Sequence, residues 1–289
     1  MTKENAQSDL HMHSTASDGG YSPTELMKKC HAVGLKYVSL TDHDTVNGFL
    51  EAKKTADKLG MHVISGIEFS TKYEKTSVHI LGYGLDVTYT PLIELLNKQQ
   101  QERRKRLDHI LNKLSQVNIT LSANSVLKHV DGGSIGRPHI AKAMVENKVV
   151  NSVSEAFDLY LAEGKPAYVE KEKEMSIQEA IDWIHLCKGV AIVAHPGHYS
   201  HLDQHLLYWC QEYHLDGLEI FHRDHSPEER SKYQKIHLEL EKKLNKKLLV
   251  TGGSDFHHED YGRTLEPLGK TRIDNRYVEA LMEAIKNKR

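Results

Sequence analysis

Short extended segments alternate with helical segments along most of the chain, and this alternation restricts its fold more than any other feature. The segments predicted as strands are residues 8–13, 37–40, 62–67, 77–83, 190–194, 217–221 and 247–251. Helices with apolar residues at helical spacing are predicted between them, such as residues 23–32, which follow Ser22 and stop before Gly34. This alternation predicts an α/β protein with a parallel sheet or barrel.

Polar side chains that can bind metal ions stand at or just beyond the carboxyl ends of these strands. They are His11 and His13, Asp42 and His43, Glu68, His79, His195, and Asp255 and His257. His79 is a partial exception, because it falls well inside its predicted strand. In barrels the carboxyl ends of the strands meet on one face, which holds the active site. We therefore expect these side chains to converge into a multinuclear metal site.

The segment from Asp9 to Gly19 brings two of these histidines close together. If residues 8–13 are extended, His11 and His13 point to the same side of the strand. The polar, glycine-containing run after His13 is typical of a loop, and such a loop can return Asp18 to the same site. The segment alone is also compatible with a chance pairing of histidines, so its interpretation depends on the other strands.

Each candidate ligand has a simpler interpretation as well. His195 fits a hydrogen-bonded structural histidine, Glu68 a surface carboxylate, and Asp255 a helix cap. Asp42 or Asp44 would also serve as a cap, and we expect one of them to do so. The metal site is favoured because these residues all stand at the same end of successive strands.

The candidate ligands are imidazoles and carboxylates, without a thiolate. This set favours Zn²⁺, Mn²⁺ or iron over Mg²⁺ and Ca²⁺, which prefer all-oxygen sites. The ligands are too many for one ion and enough for two or three. Two-metal sites activate a water molecule and hold a phosphoryl group during its displacement, so the substrate class that fits is a phosphate ester.

The alternation is interrupted from about residue 91, where only helices are predicted. They cover residues 91–117, 123–129, 138–147 and 154–161, and residues 132–139 form a loop that enters the third helix. We predict an all-helical insertion at residues 91–163 that acts as a substrate-binding cap. The barrel would then comprise residues 8–90 and 164–289.

Basic residues of this insertion are candidates for binding phosphate. Arg103 and Arg106 are three residues apart and share one helix face, although a solvated basic helix would show the same pattern. Arg137 and His139 stand at a helix start, where backbone N–H groups and the helix dipole favour anions. The planar guanidinium of Arg137 also suits a bidentate contact to phosphate.

The overall composition limits the partners. The formal net charge of −2 gives no general attraction to nucleic acid or anionic membranes. Three cysteines without CxxC spacing indicate a reducing compartment rather than a disulfide scaffold. Residues 1–7 lack the apolar core of a signal peptide, and no apolar run approaches the length of a membrane span. We expect a cytoplasmic protein that acts on a small phosphorylated substrate, without membrane attachment or a stable protein partner.

Five motifs resemble those of the PHP (polymerase and histidinol phosphatase) superfamily. They are DLHMHS at residues 9–14, TDHDT at 41–45, GIE at 66–68, HP at 195–196 and GSDFH at 253–257. The resemblance extends over almost the whole chain. It implies a distorted seven-stranded (β/α) barrel with a trinuclear site for two to three divalent ions, Mn, Fe or Zn.

The resemblance also implies how the ligands are divided among the metal ions. The first ion would be held by His11, His13, Glu68 and Asp255, the second by Glu68, His79 and His195, and the third by Asp18, His43 and His257. Glu68 would then bridge the first two ions.

Asp18, which replaces a histidine of some relatives, and the helical insertion are similar to a branch of small nucleotide phosphoesterases. Members of that branch remove the 3′-phosphate of nucleoside 3′,5′-bisphosphates, and some degrade short RNA from the 5′ end. The resemblance implies that the substrate is contacted by Arg103, Arg106, Arg137 and His139. Arg137 would neutralise phosphoryl oxygens during catalysis, and His222 is a candidate proton donor to the leaving oxygen.

The sequence leaves two other functions open. One is hydrolysis of histidinol phosphate or another small phosphomonoester, although a cationic aminoalcohol should prefer acidic residues to the arginines of the insertion. The other is a non-catalytic metal-binding module, against which the complete set of ligands argues.

Overall fold

The computed structural model describes eight strands and ten α-helices within residues 6–129, 135–170, 174–199, 201–260 and 264–288. The strands are β1 (Ser8–Asp9), β2 (Tyr37–Leu40), β3 (His62–Tyr73), β4 (Thr76–Tyr83), β5 (Met175–Ser176), β6 (Val190–Val193), β7 (Gly217–His222) and β8 (Leu249–Gly253). The helices are α1 (Pro23–Ala32), α2 (Phe49–Lys58), α3 (Thr90–Gln116), α4 (Ala123–Leu127), α5 (Arg137–Glu146), α6 (Val153–Ala156), α7 (Ile177–Leu186), α8 (Leu206–Glu212), α9 (Pro227–Leu244) and α10 (Asn275–Lys288).

Seven strands form a nearly closed barrel in the order β1-β2-β3-β4-β6-β7-β8. The two ends of this order meet where the Leu10 N–H donates to the Gly252 carbonyl oxygen at 3.2 Å and where Met12 and Phe256 form a parallel bridge. This close approach requires glycine at position 253, since a Cβ there would lie 2.4 Å from the His11 backbone nitrogen. The predicted seven-stranded α/β barrel is therefore confirmed.

The expectation of a parallel sheet is wrong for β4, which runs antiparallel to both of its neighbours, β3 and β6. β3 and β4 form a hairpin, and Glu74 in its turn has a φ of 53°. The amino-terminal half of β4 consequently lies beside the carboxyl-terminal half of β3, where His79 pairs with Ser70. His79 therefore reaches the same face of the barrel as the other candidate ligands, although it lies within its strand.

β3 is longer than predicted. Glu68 was expected at the end of this strand, but β3 continues to Tyr73 because its last residues pair with both β4 and the short strand β5. Glu68 thus lies inside a strand, fully buried, and its backbone is fixed by pairing with Leu81 of β4.

The helices around the barrel follow their sequence signals. α7 begins after Ser176, as predicted, with reciprocal hydrogen bonds between Ser176 and Glu179 at 3.1 and 2.8 Å. Its buried face carries Ile177, Ile181 and Ile184, which pack in the barrel core. In the described ranges, no helix combines the length and apolar character needed to cross a membrane.

Residues from the second half of α3 onwards contribute an apolar core that is separate from that of the barrel. Leu92 and Leu96, in the first half of α3, pack in the barrel core. Leu107, Ile110 and Leu114 pack instead with the other helices of the insertion. α3 thus belongs to both units, and the domain boundaries at residues 91 and 163 stay a prediction.

The prediction for the insertion is wrong for one helix and falls partly outside the described residues for one loop. Residues 154–161 are not one α-helix, because α6 continues as a π-helix at Phe157–Leu161. Residues 132–134 of the predicted loop before α5 lie outside the described residues.

Candidate metal centre

Imidazole rings surround the two carboxylate oxygens of Glu68. Oε1 lies near His79 Nδ1 at 2.9 Å and His195 Nε2 at 3.1 Å. Oε2 lies near His11 Nε2 at 3.3 Å, His13 Nε2 at 3.2 Å and His43 Nδ1 at 3.2 Å. One carboxylate thus faces two sets of ligands, which is the geometry required of a bridging ligand.

Asp255 completes the first of the predicted groups. Its Oδ1 lies 3.3 Å from His11 Nε2 and 3.1 Å from His13 Nε2. Together with Glu68, these residues offer ligand atoms that all lie within 4.8 Å of one another. The structure therefore brings together the four residues expected at the first ion.

Asp18 lies on the other side of His13. Its Oδ1 is 3.1 Å from His257 Nε2 and 3.9 Å from His13 Nδ1, and His43 belongs to the same group. The ring of His13 stacks on that of His257, with centroids 4.0 Å apart. His13 accordingly separates the first group from the third, with one ring nitrogen facing each.

The second predicted group is less compact. His79 and His195 both contact Glu68 Oε1, but the tighter cluster of possible ligand atoms here comprises His43, Glu68 and His79. His43 was expected only in the third group. In this structure it lies between the second and third groups.

Several buried ligand atoms of the centre have no hydrogen-bond partner. They are His11 Nε2, both ring nitrogens of His13, His43 Nδ1 and Glu68 Oε2. Buried polar atoms are rarely left unpaired. The separations of 3.1–3.3 Å between imidazole nitrogens and carboxylate oxygens are close to the roughly 3.4 Å between two ligands of a tetrahedral ion bound at about 2.1 Å. These residues therefore fit divalent cations.

Electrostatics favour positive charge at the same place. Burial raises the pKa of Glu68, but His43 and His11 outweigh this effect and hold the pKa well below its usual range. Burial lowers the pKa of His13, yet Asp255 and Glu68 together raise it to about 10. The carboxylates thus attract cations, either protons on the imidazoles or metal ions that replace them.

Glu219 is part of the centre but was not predicted from the sequence. It is fully buried within β7 and accepts hydrogen bonds from His11 Nδ1 at 3.0 Å and from the His195 N–H at 2.8 Å. A carboxylate that binds the second nitrogen of a ligand histidine fixes its tautomer and ring orientation. The available signal was a single carboxylate in the otherwise apolar segment 217–221.

Three residues of the same site have a strained backbone. Asp44, His195 and Asp255 have positive φ angles of 50°, 27° and 48°. Such angles are costly for residues other than glycine and occur preferentially at functional sites. At His195 the hydrogen bond to Glu219 holds the strained peptide.

Asp42 and Asp44 both have structural partners, whereas only one of them was expected to be a cap. Asp42 accepts hydrogen bonds from the hydroxyls of Ser14 and Ser17, at 2.8 and 2.6 Å, and so fixes the loop that carries Asp18. Asp44 accepts from the Ser70 N–H at 2.8 Å and pairs with Arg103.

The predicted phosphate-binding residues lie at the edge of the centre. Arg103 pairs with Asp44, next to His43, so the insertion reaches the barrel there. Arg106 donates from Nε to the Val169 carbonyl at 2.7 Å. Their guanidinium groups are partly buried between the insertion and the barrel.

Arg137 and His139 form local contacts at the start of α5. Arg137 donates to the Leu161 carbonyl at 3.1 Å and lies over the rings of Phe157 and Tyr168. His139 is buried, and its Nδ1 accepts from the Gly136 N–H at 3.0 Å. That N–H, expected to be open to an anion, is therefore already satisfied.

His222 adjoins the first group. Its Nδ1 accepts from the Asp224 N–H at 3.1 Å, so a neutral His222 carries its proton on Nε2. Nε2 lies 3.5 Å from Asp255 Oδ2 without a hydrogen-bond partner. Asp224 also contacts His198 Nε2 at 3.0 Å, and this pair was not predicted from the sequence.

The PHP domain family matches residues 9–249. The chain belongs to this family. The matched range includes every predicted ligand except Asp255 and His257, which follow it and complete the centre in space. The set of motifs, the barrel and the ligand cluster thus lead to the same family.

Characterised relatives cover most of the chain. A 5′-3′ exoribonuclease of Haemophilus influenzae is 35% identical over 252 residues, which represent 86% of this chain and 89% of the relative. A 3′,5′-nucleoside bisphosphate phosphatase of Chromobacterium violaceum is 31% identical over 256 residues, or 87% of each chain. A candidate metal-dependent phosphoesterase of Bifidobacterium adolescentis has a similar structure, with a TM-score of 0.85 and 29% identity over 96% of both chains. The chain is therefore a metal-dependent phosphoesterase, a hydrolase of the PHP type.

Proposed function

We propose that this enzyme removes the 3′-phosphate of nucleoside 3′,5′-bisphosphates, with short 5′-phosphorylated RNA as a further substrate class. Both activities occur among the relatives, in the proteins of Chromobacterium violaceum and Haemophilus influenzae. The nine predicted ligands would hold two or three divalent ions, Mn, Fe or Zn. The observation that carries the proposal is Glu68, whose two oxygens face separate sets of imidazoles.

The metal ions would activate a water molecule and hold the phosphoryl group. The protein keeps their ligands in place through buried partners. Glu219 orients His11 through Nδ1, which leaves Nε2 directed at Glu68 and Asp255. Asp42 fixes the loop of Asp18 through Ser14 and Ser17. Rigid ligands of this kind lower the cost of ordering the site when substrate binds.

His222 would stabilise the leaving group. As the bond between phosphorus and O3′ breaks, negative charge develops on O3′, and the Nε2–H of His222 would donate a hydrogen bond to it, while the proton that completes the hydroxyl comes from the attacking water. The Asp224 N–H, which donates to Nδ1, fixes the tautomer that carries the Nε2–H. His222 is fully buried, so its proton is shielded from bulk solvent.

The arginines of the insertion would bind the second phosphate. Asp44 balances the charge of Arg103. Burial lowers the pKa of Arg106, and the positive charge of the nearby Arg137 lowers it further. Two neighbouring guanidinium groups favour a dianion between them. This arrangement favours a bisphosphate over a monoester with a cationic amine, such as histidinol phosphate.

A substrate panel with the purified, Mn²⁺-loaded enzyme tests the proposal. Adenosine 3′,5′-bisphosphate should be hydrolysed with a kcat/KM at least about tenfold above that of 5′-AMP or histidinol phosphate, since one bound phosphate contributes a charge-assisted contact of this size. A short 5′-phosphorylated RNA should release nucleoside 5′-monophosphates. Preference for histidinol phosphate would overturn the substrate assignment, and no turnover with Mn²⁺, Fe²⁺ or Zn²⁺ would support a non-catalytic module.

A His195→Ala variant serves as the control for the metal centre. It should lose activity while its thermal unfolding midpoint, measured with metal removed from both proteins, stays near that of the parent. We also propose that the enzyme acts in the cytoplasm without a stable partner, which accords with its three free and buried cysteines.

A further inference from the structure

A groove of about 680 Å³ is lined in part by Arg103 and Arg106, and the proposed reaction does not use the rest of it. It runs between α3 on one side and β5 and α7 on the other. Ser70, which pairs with the candidate ligand His79, lines the groove next to Arg103. The groove therefore begins beside the metal centre. Its volume is in the range of small-molecule sites.

The groove has both basic and apolar lining residues. Arg103 and Arg106 line the end nearest the metal centre, and Lys98 lies farther along the same face of α3. Among the described residues, Lys98 has no ion-pair partner. Leu95, Met175 and Trp183 form apolar walls. A ligand that fits this order carries negative charge at one end and a less polar chain beyond it.

Gln99 supplies a polar group of defined chemistry. It lines the groove, and its Oε1 atom is buried without a hydrogen-bond partner. A buried acceptor without a donor is unfavourable, because it has lost its hydrogen bonds to water. A ligand with an N–H group at this position would relieve that cost. Secondary amides supply such a donor.

The carboxylates that line the groove argue against a polynucleotide. Glu102, Glu170 and Glu174 line it, and Lys72 and Lys105 balance part of their charge. Successive phosphates of an RNA backbone would meet these carboxylates, which is unfavourable at short range. An uncharged chain would not.

We propose that the groove binds the 5′ extension of a nucleoside 3′-phosphate in which the 5′-phosphate bears a second phosphoryl group and a flexible, amide-containing chain. The inference rests on the proposed function, because it takes Arg106, which lines the groove, as part of the 5′-phosphate subsite. The reaction is unchanged. Water adds to the 3′-phosphorus, the bond to O3′ breaks, O3′ takes up a proton, and inorganic phosphate is released. The diphosphate and its chain stay intact.

Coenzyme A has this chemistry and is the probe for the test. We would incubate it with the full-length, Mn²⁺-loaded enzyme and measure inorganic phosphate and the 3′-hydroxyl product by liquid chromatography and mass spectrometry. The expected result is a kcat/KM for coenzyme A within about tenfold of that for adenosine 3′,5′-bisphosphate, because the groove accommodates the additional chain. If the enzyme hydrolyses the bisphosphate but not coenzyme A, the inference is overturned and the proposed function stays intact. Turnover of neither compound would refute the proposed function itself.

Charge reversal in the groove tests where the extension binds. Lys98→Glu should lower the ratio of kcat/KM for coenzyme A to that for the bisphosphate by about tenfold, since a phosphate contact becomes a repulsion. Lys243→Glu on α9, an exposed lysine outside the groove, makes the same change in net charge and should leave the ratio unchanged. Trp183→Ala should also lower the ratio, and thermal unfolding checks that each variant is folded. An unchanged ratio in both groove variants refutes the site. A selective loss with a 5′-phosphorylated RNA trimer instead would identify a polynucleotide as its ligand and overturn the inference.

Discussion

Replacement of Glu219 by glutamine tests whether a residue that contacts no substrate sets the properties of the metal centre. Glu219 accepts hydrogen bonds from His11 Nδ1 at 3.0 Å and from the His195 N–H at 2.8 Å. Glutamine has nearly the same size but only one acceptor oxygen. Its amide N–H₂ group would therefore face one of these two donors, and the negative charge would be lost.

The expected magnitude follows from the lost interaction. A hydrogen bond to a charged group contributes about 1.5–3 kcal/mol, which corresponds to roughly 10- to 100-fold in an equilibrium constant. We expect Glu219→Gln to weaken Mn²⁺ binding by this factor, because His11 is no longer held in the tautomer and orientation that direct Nε2 to the centre. At saturating Mn²⁺ much of the activity should return.

Titration of the metal-free protein with Mn²⁺, followed by both calorimetry and activity, measures the effect. Asp216→Asn is the matched control, since Asp216 stands immediately before β7 and accepts from His185 Nε2 at 2.7 Å and from the Ala191 N–H at 2.9 Å, outside the centre. The control should lose stability but not Mn²⁺ affinity. Equal Mn²⁺ affinities for Glu219→Gln and the parent protein would refute the orienting role of Glu219.

Three other predictions follow from named contacts. Burial raises the pKa of Asp216, but the hydrogen bonds from His185 and Ala191 outweigh burial, so the pKa lies below 3.8 in the folded protein. Its stabilising effect should therefore be present above pH 3.8 and disappear as the pH falls through the folded pKa. Asp216→Asn should lower the free energy of unfolding by about 2 kcal/mol at pH 7 and by less at pH 3, as measured with urea. Metal removal with EDTA should lower stability by about 2.7 kcal/mol relative to Mn²⁺ at 100 times its dissociation constant, and an unchanged melting temperature by scanning fluorimetry would argue against the site. Ser17→Ala removes the 2.6 Å hydrogen bond to Asp42 and should reduce the number of bound metal ions, determined by elemental analysis, because the loop of Asp18 loosens.

The ends of the strands were predictable because the signals are local. An apolar segment followed directly by His195, or by Asp255 and His257, can be read without knowledge of the rest of the chain. Barrel geometry then implies that such ends converge. The sequence pattern does not show how closely they approach, and the position of His43 between two groups emerged only from the structure.

The role of Glu219 depends on contacts between strands that are distant in sequence. A carboxylate in a strand is compatible with an exposed face, and its neighbours in sequence are apolar on either side. Only the order of strands in the closed barrel puts β7 where Glu219 reaches both His11 and His195. A strand that is buried on both faces also buries any carboxylate it carries, and a buried carboxylate requires partners. This rule, applied to residues 217–221, points to Glu219.

The direction of β4 connects the metal centre to the insertion. Hydrophobic periodicity does not report strand direction, so the antiparallel β4 could not be predicted from it. Since β4 begins at the ligand face and ends at Tyr83, the chain leaves it at the opposite end of the barrel. α3 then has 27 residues, a length of about 40 Å. Its first half packs along the barrel, and Arg103 in its second half meets Asp44 at the ligand face. The same reversal that directs His79 into the centre thus explains why the insertion must begin with a long helix.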